Sequence, residues 1–428
     1  MPIAALWLLL SFALSSGPLG ATLQVPADYP TIQACIDAAV DGDECVVPPG
    51  TYNETIDFLG KAITLRSSGG ADVTTIDATG IGGSVVTCAT GEGPDTVLVG
   101  FTITGGTGTV IDPGYAVGGG MFNDGGSPTI INCMFNGNTS DRGAGMYNLS
   151  SIPTVTDCTF SGNTGTDRGG GMYNDRSSPT LNACTFSGNI AYVGGGMFNH
   201  YSSSPMLKNC TFSGNTASAS NGGGMYNYNS SPTVANCTFD ENSASNGGAM
   251  HNFFFSSPTV SNCIIWGQSQ YKIVNLYVSA PTFRFSDVQG GLPVGAVDGG
   301  GNIDLDPMFV RPPDPGPDGN WDGVDDDYGD LRLQPGSPCI NAGDPAFVPQ
   351  PGESDLDGHA RVLCGWVDMG AYEFGIGDYD CDQAVDLSDF AYWMGCVAPL
   401  VCEAFDFDGD GDLDLFDFAG FQNAFNGE

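Results

Sequence analysis

"GGGMYNDRSSPTLNACTFSGN", residues 169–189, sets one methionine, one cysteine and three asparagines among glycines, serines and threonines, too few apolar side chains to build a core alone. The line recurs. Met121, Met146, Met172, Met197, Met225 and Met250 each follow a small, glycine-rich tripeptide, at spacings of 25, 26, 25, 28 and 25 residues. Cys133, Cys158, Cys184, Cys210, Cys237 and Cys263 track them at 25, 26, 26, 27 and 26. A fixed period of this size, with short β-rich runs broken by Gly, Asn and Ser-Pro, is the signature of a solenoid in which each repeat is one coil.

Within a coil, "GMYN" and "PTLNACTF" are strand-like, and no stretch is long enough for a helix. Each coil is therefore expected to be two or three short strands joined by turns. Coils stacked strand on strand, about 4.8 Å apart, would turn one Met, one Cys, one Phe and one Val or Leu per coil into continuous internal rows. The core is then narrow in each coil and long in the stack.

The cysteine row admits disulfides, metal or packing. Residues stacked in parallel strands keep their Cβ atoms about 4.8 Å apart and pointing the same way, wider than the roughly 3.5–4.5 Å a disulfide prefers. Thiolate metal sites need converging ligands. The six are expected to be buried thiols that act as small hydrophobes. Asn123, Asn148, Asn174, Asn199, Asn227 and Asn252 repeat as well, and are expected at a turn, donating their amides to the backbone of the next coil.

Charge and length bound the function. The chain of 428 residues has a formal net charge of -38, from 49 acidic and 11 basic residues, which disfavours nucleic acid and anionic membranes as partners. From Asp298 to the end lie 29 of the acids and 3 of the bases, so the last 131 residues are a different kind of material. The start, "MPIAALWLLLSFALSSGPLGA", has an apolar run from Ile3 to Leu14 followed by small residues, the layout of a signal peptide cleaved near Ala21. The run is too short for a spanning helix. Export to the cell surface or beyond is the expectation.

These residues resemble known families. The stack looks like a right-handed, single-stranded parallel β-helix of the pectin-lyase-like type, an all-β solenoid. The pairing of "GGGM" with "FSGN" is similar to the GGAI and FxxN repeats of bacterial polymorphic outer-membrane proteins. The second motif stands at Phe135–Asn138, Phe160–Asn163, Phe186–Asn189, Phe212–Asn215 and Phe239–Asn242. The opening "VPADYPTIQACIDAAVDGDECVVPPGTYNE" resembles a first coil, which implies an amphipathic helix over "TIQACIDAAV" started by Thr31 and capping the open end, with a Cys35–Cys45 disulfide. "DLDPMFV", "GDLRLQPGSPCINAGD" and "VDMGAYEF" look like closing coils, and the likeness implies a second bridge between Cys339 and Cys364.

Pectin-lyase-like enzymes act on polyuronates with Arg or Lys and clustered carboxylates, and "GTYNE" (residues 50–54) is shared with pectin methylesterases. The rest of those patterns is missing. The repeats contain neither a second esterase motif nor the Asp-Asp and His-Gly pairs of polygalacturonases, and Arg142, Arg168, Arg176 and Lys208 are their basic residues. Arg142 and Arg168 sit one coil apart, each after an Asp (Asp141, Asp167): a surface ladder of alternating charge, or an anion site. His200, His251 and His359 fall in no repeated slot beside a nucleophile. If each Met points inward, alternation points its neighbour outward, so Phe122, Tyr147, Tyr173, Phe198 and Tyr226 are candidates for stacking on sugar rings or a surface protein. The alternative is that they stack on one another beneath the Ser-Pro loops.

The acidic tail carries the clearest pattern. "DYDCDQAVDLSD" places Asp378, Asp380, Asp382, Asp386 and Asp389 at positions 1, 3, 5, 9 and 12 of a loop, and "DFDGDGDLDLFD" repeats this with Asp406, Asp408, Asp410, Asp414 and Asp417. Twelve-residue spacing lets alternate oxygens converge on one calcium ion, with position 7 (Ala384, Asp412) offering a carbonyl. Each loop leads into a short apolar helix, "FAYWMGC" or "FAGFQNAF". The pair resembles a type I dockerin, which implies a paired EF-hand module for docking or attachment. Gln383 stands where Gly is expected at position 6, so the first site is expected to be the weaker.

The expected organisation is a signal peptide over 1–21, a parallel β-helix with a helical cap over 22–297, acidic closing coils over 298–374 and the calcium-loop module over 375–428. The expected function is a structural or adhesive β-helix without catalysis. The rival is a polysaccharide lyase or hydrolase acting on acidic glycans.

Overall fold

A computed structural model describes residues 20–374, apart from 113, 219–220, 268–270, 318–325 and 364. Its chain winds into a parallel β-helix. The coil that contains the opening stretch places Met172–Asp175, Thr180–Asn182, Thr185–Ser187 and Ile190–Ala191 in four different sheets. Sheet I has 12 strands, from Thr22–Gln24 to Val297–Asp298; sheet II has 10, from Gly50–Tyr52 to Asp287–Val288. Sheet III has 9, from Ile56–Asp57 to Ile273–Leu276, and sheet IV has 6, from Thr109–Asp112 to Thr216–Ala217. The fourth sheet is an addition to the expected two or three strands per coil.

Register is strict, because a slip of one residue would turn every inward side chain outward. Met146 pairs with Met172, Phe160 with Phe186 and Val155 with Leu181. The six repeat methionines and Phe135, Phe160, Phe186, Phe212 and Phe239 have no exposed surface. The phenylalanine rings stack at centroid separations of 4.6–4.7 Å and within 5° of parallel. That separation is the coil spacing itself, so the row runs as one pile of rings.

Each cysteine turns a corner between sheets I and II. The residue before it is left-handed, with φ of 48–53° at Asn132, Asp157, Ala183, Asn209, Asn236 and Asn262. Asn and Asp tolerate that region better than most residues, which accounts for the recurring Asn-Cys. All six thiols are free and buried, and each can donate to the carbonyl two residues back, as Cys184 does to Asn182 at 3.3 Å. The glycine tripeptides have a similarly local cause: a Cβ at Gly170 would lie 2.5 Å from the Ile190 carbonyl oxygen of the adjoining coil.

The asparagine row differs from its expected form. Asn123, Asn148, Asn174, Asn199, Asn227 and Asn252 lie in the sheet III strands and face inward, with no exposed surface. Each amide donates to the side-chain oxygen of the next asparagine, at 2.7–2.9 Å, rather than to backbone. Alternation from Met puts the asparagine inside the strand rather than at a turn. The asparagines closing each FxxN motif make the backbone bonds: Asn189 Nδ2 donates to the Phe160 carbonyl at 2.8 Å.

The amino-terminal cap is a helix, Ile32–Ala38, whose Thr31 hydroxyl accepts from the Ala34 amide at 3.1 Å. Cys35 and Cys45 are disulfide-bonded. The residues expected as closing coils are arranged differently. After Val297–Asp298 the chain adds one more parallel bridge to sheet II, Ile303 beside Asp287, and then turns back along the outer face of that sheet, where Phe309–Arg311 and Asp330–Leu333 pair antiparallel. Pro312, Pro313, Pro315 and Pro317 lack the amide donors that further ladder strands need. Phe309, Leu331, Leu333, Cys339, Ile340 and Met369 pack on Ile264, and the Ser213 hydroxyl donates to the Tyr328 carbonyl at 2.9 Å. Arg361, with no exposed side-chain surface, pairs with buried Glu373 at 3.0 Å and braces the last turns. Cys339 is a free thiol donating to Asp287 at 3.2 Å, not half of a bridge; its expected partner Cys364 lies outside the described residues.

Phe186→Ala removes one ring from the middle of the pile, and neighbours held by ladder bonds on both sides cannot collapse into the gap. We expect a loss of about 3–5 kcal/mol, read as a lower midpoint in chemical denaturation. An unchanged midpoint would contradict the inward assignment.

Candidate functional site

Phe122, Tyr147, Tyr173, Phe198 and Tyr226 point away from the helix interior, as alternation requires, yet they are only 4%, 3%, 1%, 3% and 8% exposed. Tyr147, Tyr173, Phe198 and Tyr226 stack at 5.0, 5.1 and 4.8 Å, with Val117 and Val193 packed against the row. Val117, the last residue of a sheet IV strand, and Val193, bridged to Arg168, close over the row. Their faces are therefore closed to a sugar ring. Burial pushes the Tyr147 hydroxyl up to about 12.

The two expected arginines divide. Arg142 pairs with Asp167 at 2.8 Å and lies 3.8 Å over the Tyr115 ring, engaged on both sides. Arg168 approaches the same carboxylate at 3.5 Å and stands 5.4 Å over Phe198. It also lines a cleft.

That cleft, of about 380 Å³, is bounded by Arg168, Val193, Phe198, His200, Tyr201, Tyr226 and Tyr228. Three of the six expected ligand residues meet here, and Tyr147, Tyr173 and Arg142 are left outside it. The sheet III strands Met197–His200 and Met225–Tyr228 supply the floor, with Arg168 at the rim from Thr164–Arg168. His200 sits in an aromatic enclosure, 3.9 Å from the Tyr201 ring and 5.4 Å from Tyr228, with Nδ1 3.0 Å from the Tyr173 hydroxyl. Burial works against ionisation of Asp175, but His200 and Arg176 beside it hold its carboxyl below the usual range.

A ridge continues from the cleft along the turns after sheet III. Most of these turns share a serine ladder: Ser177 N donates to Ser203 Oγ at 3.0 Å, Ser203 N to Ser230 Oγ at 3.1 Å and Ser230 N to Ser256 Oγ at 3.1 Å. Three turns carry one residue more than "YNSSP" (228–232): "HYSSSP" (200–205), "FFFSSP" (253–258) and "LYVSAP" (276–281). The ladder holds the serines in place, so the extra residue is thrown outward. Its conformation is left-handed twice in succession, with φ of 45° and 63° at Tyr201 and Ser202, 55° and 57° at Phe254 and Phe255, and 50° and 63° at Tyr277 and Val278. Tyr201, Phe254, Phe255, Tyr277 and Val278 are 48%, 41%, 55%, 65% and 78% exposed. Left-handed backbone costs an L-residue about 1–2 kcal/mol, and large apolar groups in water gain nothing to offset it. Such strain collects where side chains are used. The sequence signal is the single-residue insertion before the Ser-Pro or Ala-Pro of these turns.

His251 continues the covered aromatic row, edge-on to Tyr226 at 5.0 Å, 2% exposed and with neither ring nitrogen hydrogen-bonded. Elsewhere Asp355, Asp357 and His359 bring ligand atoms within 4.8 Å of one another. They form a braced turn: Asp355 accepts from the amides of Asp357 and His359, and both oxygens of Asp357 are held by Arg332 at 2.7–2.8 Å. The expected calcium ligands Asp378, Asp380, Asp382, Ala384, Asp386, Asp389, Asp406, Asp408, Asp410, Asp412, Asp414 and Asp417 lie outside the described residues, as does the expected signal sequence up to residue 19. Among the described residues no helix is long and apolar enough to cross a membrane.

The family described as "Right handed beta helix region" matches residues 52–212 and 166–288, together more than half of the chain. The chain belongs to that family. It is similar to the solved structures of pectin methylesterase from carrot, with 14% identity, a TM-score of 0.41 and coverage of 68% of this chain and 90% of that one. For pectate lyase Pel9A the values are 14%, 0.45, 82% and 96%, and for pectin methylesterase PemA from Erwinia chrysanthemi 12%, 0.32, 71% and 85%. No curated protein matches the chain.

Burial drives the His251 imidazole down to about 4. The folded protein therefore resists a proton that the unfolded chain accepts near 6.5. This term is fully stabilising above that pH and is lost as pH falls towards 4, by up to about 3 kcal/mol. His251→Phe should keep the ring and drop the titration, so its melting temperature relative to wild type should rise steadily between pH 7 and pH 4.5. Parallel profiles would refute the assignment.

Proposed function

We propose that this protein is an exported β-helix that binds a polysaccharide along the ridge running from the Arg168 cleft to Tyr277. One observation carries this reading: five large apolar residues, four of them aromatic, are held in solvent at left-handed turn positions along one edge of the solenoid. Rings fixed this way present flat apolar faces without side-chain ordering on binding, which suits the apolar faces of sugar rings. The regular coil spacing suits a ligand that is itself a repeating chain. Arg168 and His200 at one end favour a sugar carrying a carboxylate, by charge and hydrogen bonding. Export is supported by the apolar amino-terminal run and by the Cys35–Cys45 disulfide in the cap. The expectation of a purely structural or adhesive protein thus narrows to glycan binding.

The test is affinity electrophoresis through gels containing polygalacturonate, alginate or neutral xylan, with wild type and the triple variant Tyr201→Ala, Phe254→Ala, Tyr277→Ala. Retardation of wild type by at least one acidic glycan is expected, with more than tenfold weaker binding by the variant, at about 0.5–1.5 kcal/mol per ring. Equal mobility of the two proteins in every gel would remove the ridge. Release of unsaturated or reducing ends from any of these polymers, abolished by Arg168→Ala, would instead establish the lyase or hydrolase reading.

Calcium is the second component. The two acidic twelve-residue loops support a module that binds two ions and serves for docking or attachment. Calorimetry on the full chain should show Asp406→Ala removing the tighter of the two sites and Asp378→Ala the weaker. Absence of calcium heat would end the proposal.

A further inference from the structure

Each coil leaves sheet II through a tripeptide whose middle residue is left-handed. In four successive coils that residue is glycine: Gly137, Gly162, Gly188 and Gly214, at φ of 57–64°. The next coil replaces Ser-Gly-Asn by Asp240-Glu241-Asn242, and Glu241 adopts the same conformation at φ 47° despite its side chain. The coil after that returns to glycine at Gly267, with φ 61°. One coil has thus exchanged a serine and a strain-free glycine for two adjacent carboxylates.

The carboxylates have no structural task that accounts for them. Asp240 pairs in register with Ser213 on one side and Trp266 on the other. It is 2% exposed, and its Oδ1 has no hydrogen-bond partner. The Ser213 hydroxyl, by contrast, is satisfied by the Tyr328 carbonyl. Glu241 is half-buried, and its carboxylate turns to the same place: a side chain at Gly267 would collide with Asp240 Oδ1 and lie 2.7 Å from Glu241 Oε1. Lys272 acts on Glu241 only through its field. Two like charges over one glycine, one of them buried, disfavour the fold unless something positive is shared between them. Consistent with this, burial and the Glu241 charge push the Asp240 carboxyl up to about 8.

We infer that Asp240 and Glu241 are ligands of one divalent cation, bound between the β-helix and the chain folded back over it. Oxygen-only donors select a hard ion, and carboxylates that can bind through one or two oxygens suit calcium. Its residues are other than those of the loops at 378–389 and 406–417. Its position gives it a role. The backbone folded over sheet II is hydrogen-bonded to either side of Asp240, at Ser213 through Tyr328 and at Thr238 through the Ala371 amide, 3.1 Å away. An ion here would fasten that covering to the coil and relieve the charge.

The experiment uses the full chain after exhaustive chelation, titrated with calcium in a calorimeter, as wild type, Asp240→Asn and Glu241→Gly. Glu241→Gly restores the residue found in the neighbouring coils, so it should fold at least as well and melt no lower than wild type without metal. Both variants should bind one ion fewer per chain. Terbium luminescence excited through tryptophan should fall by at least half in Trp266→Phe, because the indole adjoins Asp240 in the ladder. Identical calcium stoichiometry and affinities in wild type and Glu241→Gly overturn the proposal. So does a shared proton only, in which the variants alter the pH profile of melting and leave calcium binding untouched.

Discussion

Everything in this molecule depends on the hydrogen bonds between one coil and the next. They fix the axial spacing, and the spacing makes identical residues in successive coils touch. A phenylalanine that would be a minor contributor elsewhere becomes a member of a stack at 4.6–4.7 Å, and an asparagine that would be a buried liability finds its partner in its own copy. The energetics are those of a line: each coil is stabilised by its two neighbours, so local changes are felt locally.

Because the interior is so uniform, departures from the repeat are informative. The inserted residues at Tyr201, Phe254 and Tyr277 do not alter the rows inside; they move outward at the turn and leave the serine ladder intact. Asp240-Glu241 does the same on another face. The solenoid confines variation to positions that leave its interior rows undisturbed, and ligand chemistry is expected there.

The period of methionine and cysteine made the solenoid, the inward rows and the free thiols legible before any coordinates, and Thr31 marked the start of the capping helix. Alternation from Met172 correctly put Tyr173 on the outer face of its strand. It could not show that face to be covered, because the slot that covers it changes from Val117 to Arg142, Arg168 and Val193 in successive coils. The same limit hid the course of residues 298–374. Their motifs were visible, but packing against sheet II is decided by contacts such as Phe309 on Ile264, far apart in sequence. Of the cleft, Arg168, Phe198 and Tyr226 were legible from repetition. His200, Tyr201 and Tyr228 were not, since each differs from its counterpart in the adjoining coils.

The inner asparagine row has a direction. Every amide points to the following coil, and the last, Asn275, donates to the Val294 carbonyl at 3.0 Å. At the other end Asn123 stands beside Cys88, and its Oδ1 has no partner. The row is therefore a vector with a sealed end and an open one. A duplicated coil spliced into the middle would inherit a donor and an acceptor and leave nothing unmatched. A coil added before Asn123 would improve the match only by bringing an amide of its own. Proteins of this kind can change length by copying whole turns, and the grammar of that growth is written in a single side-chain type.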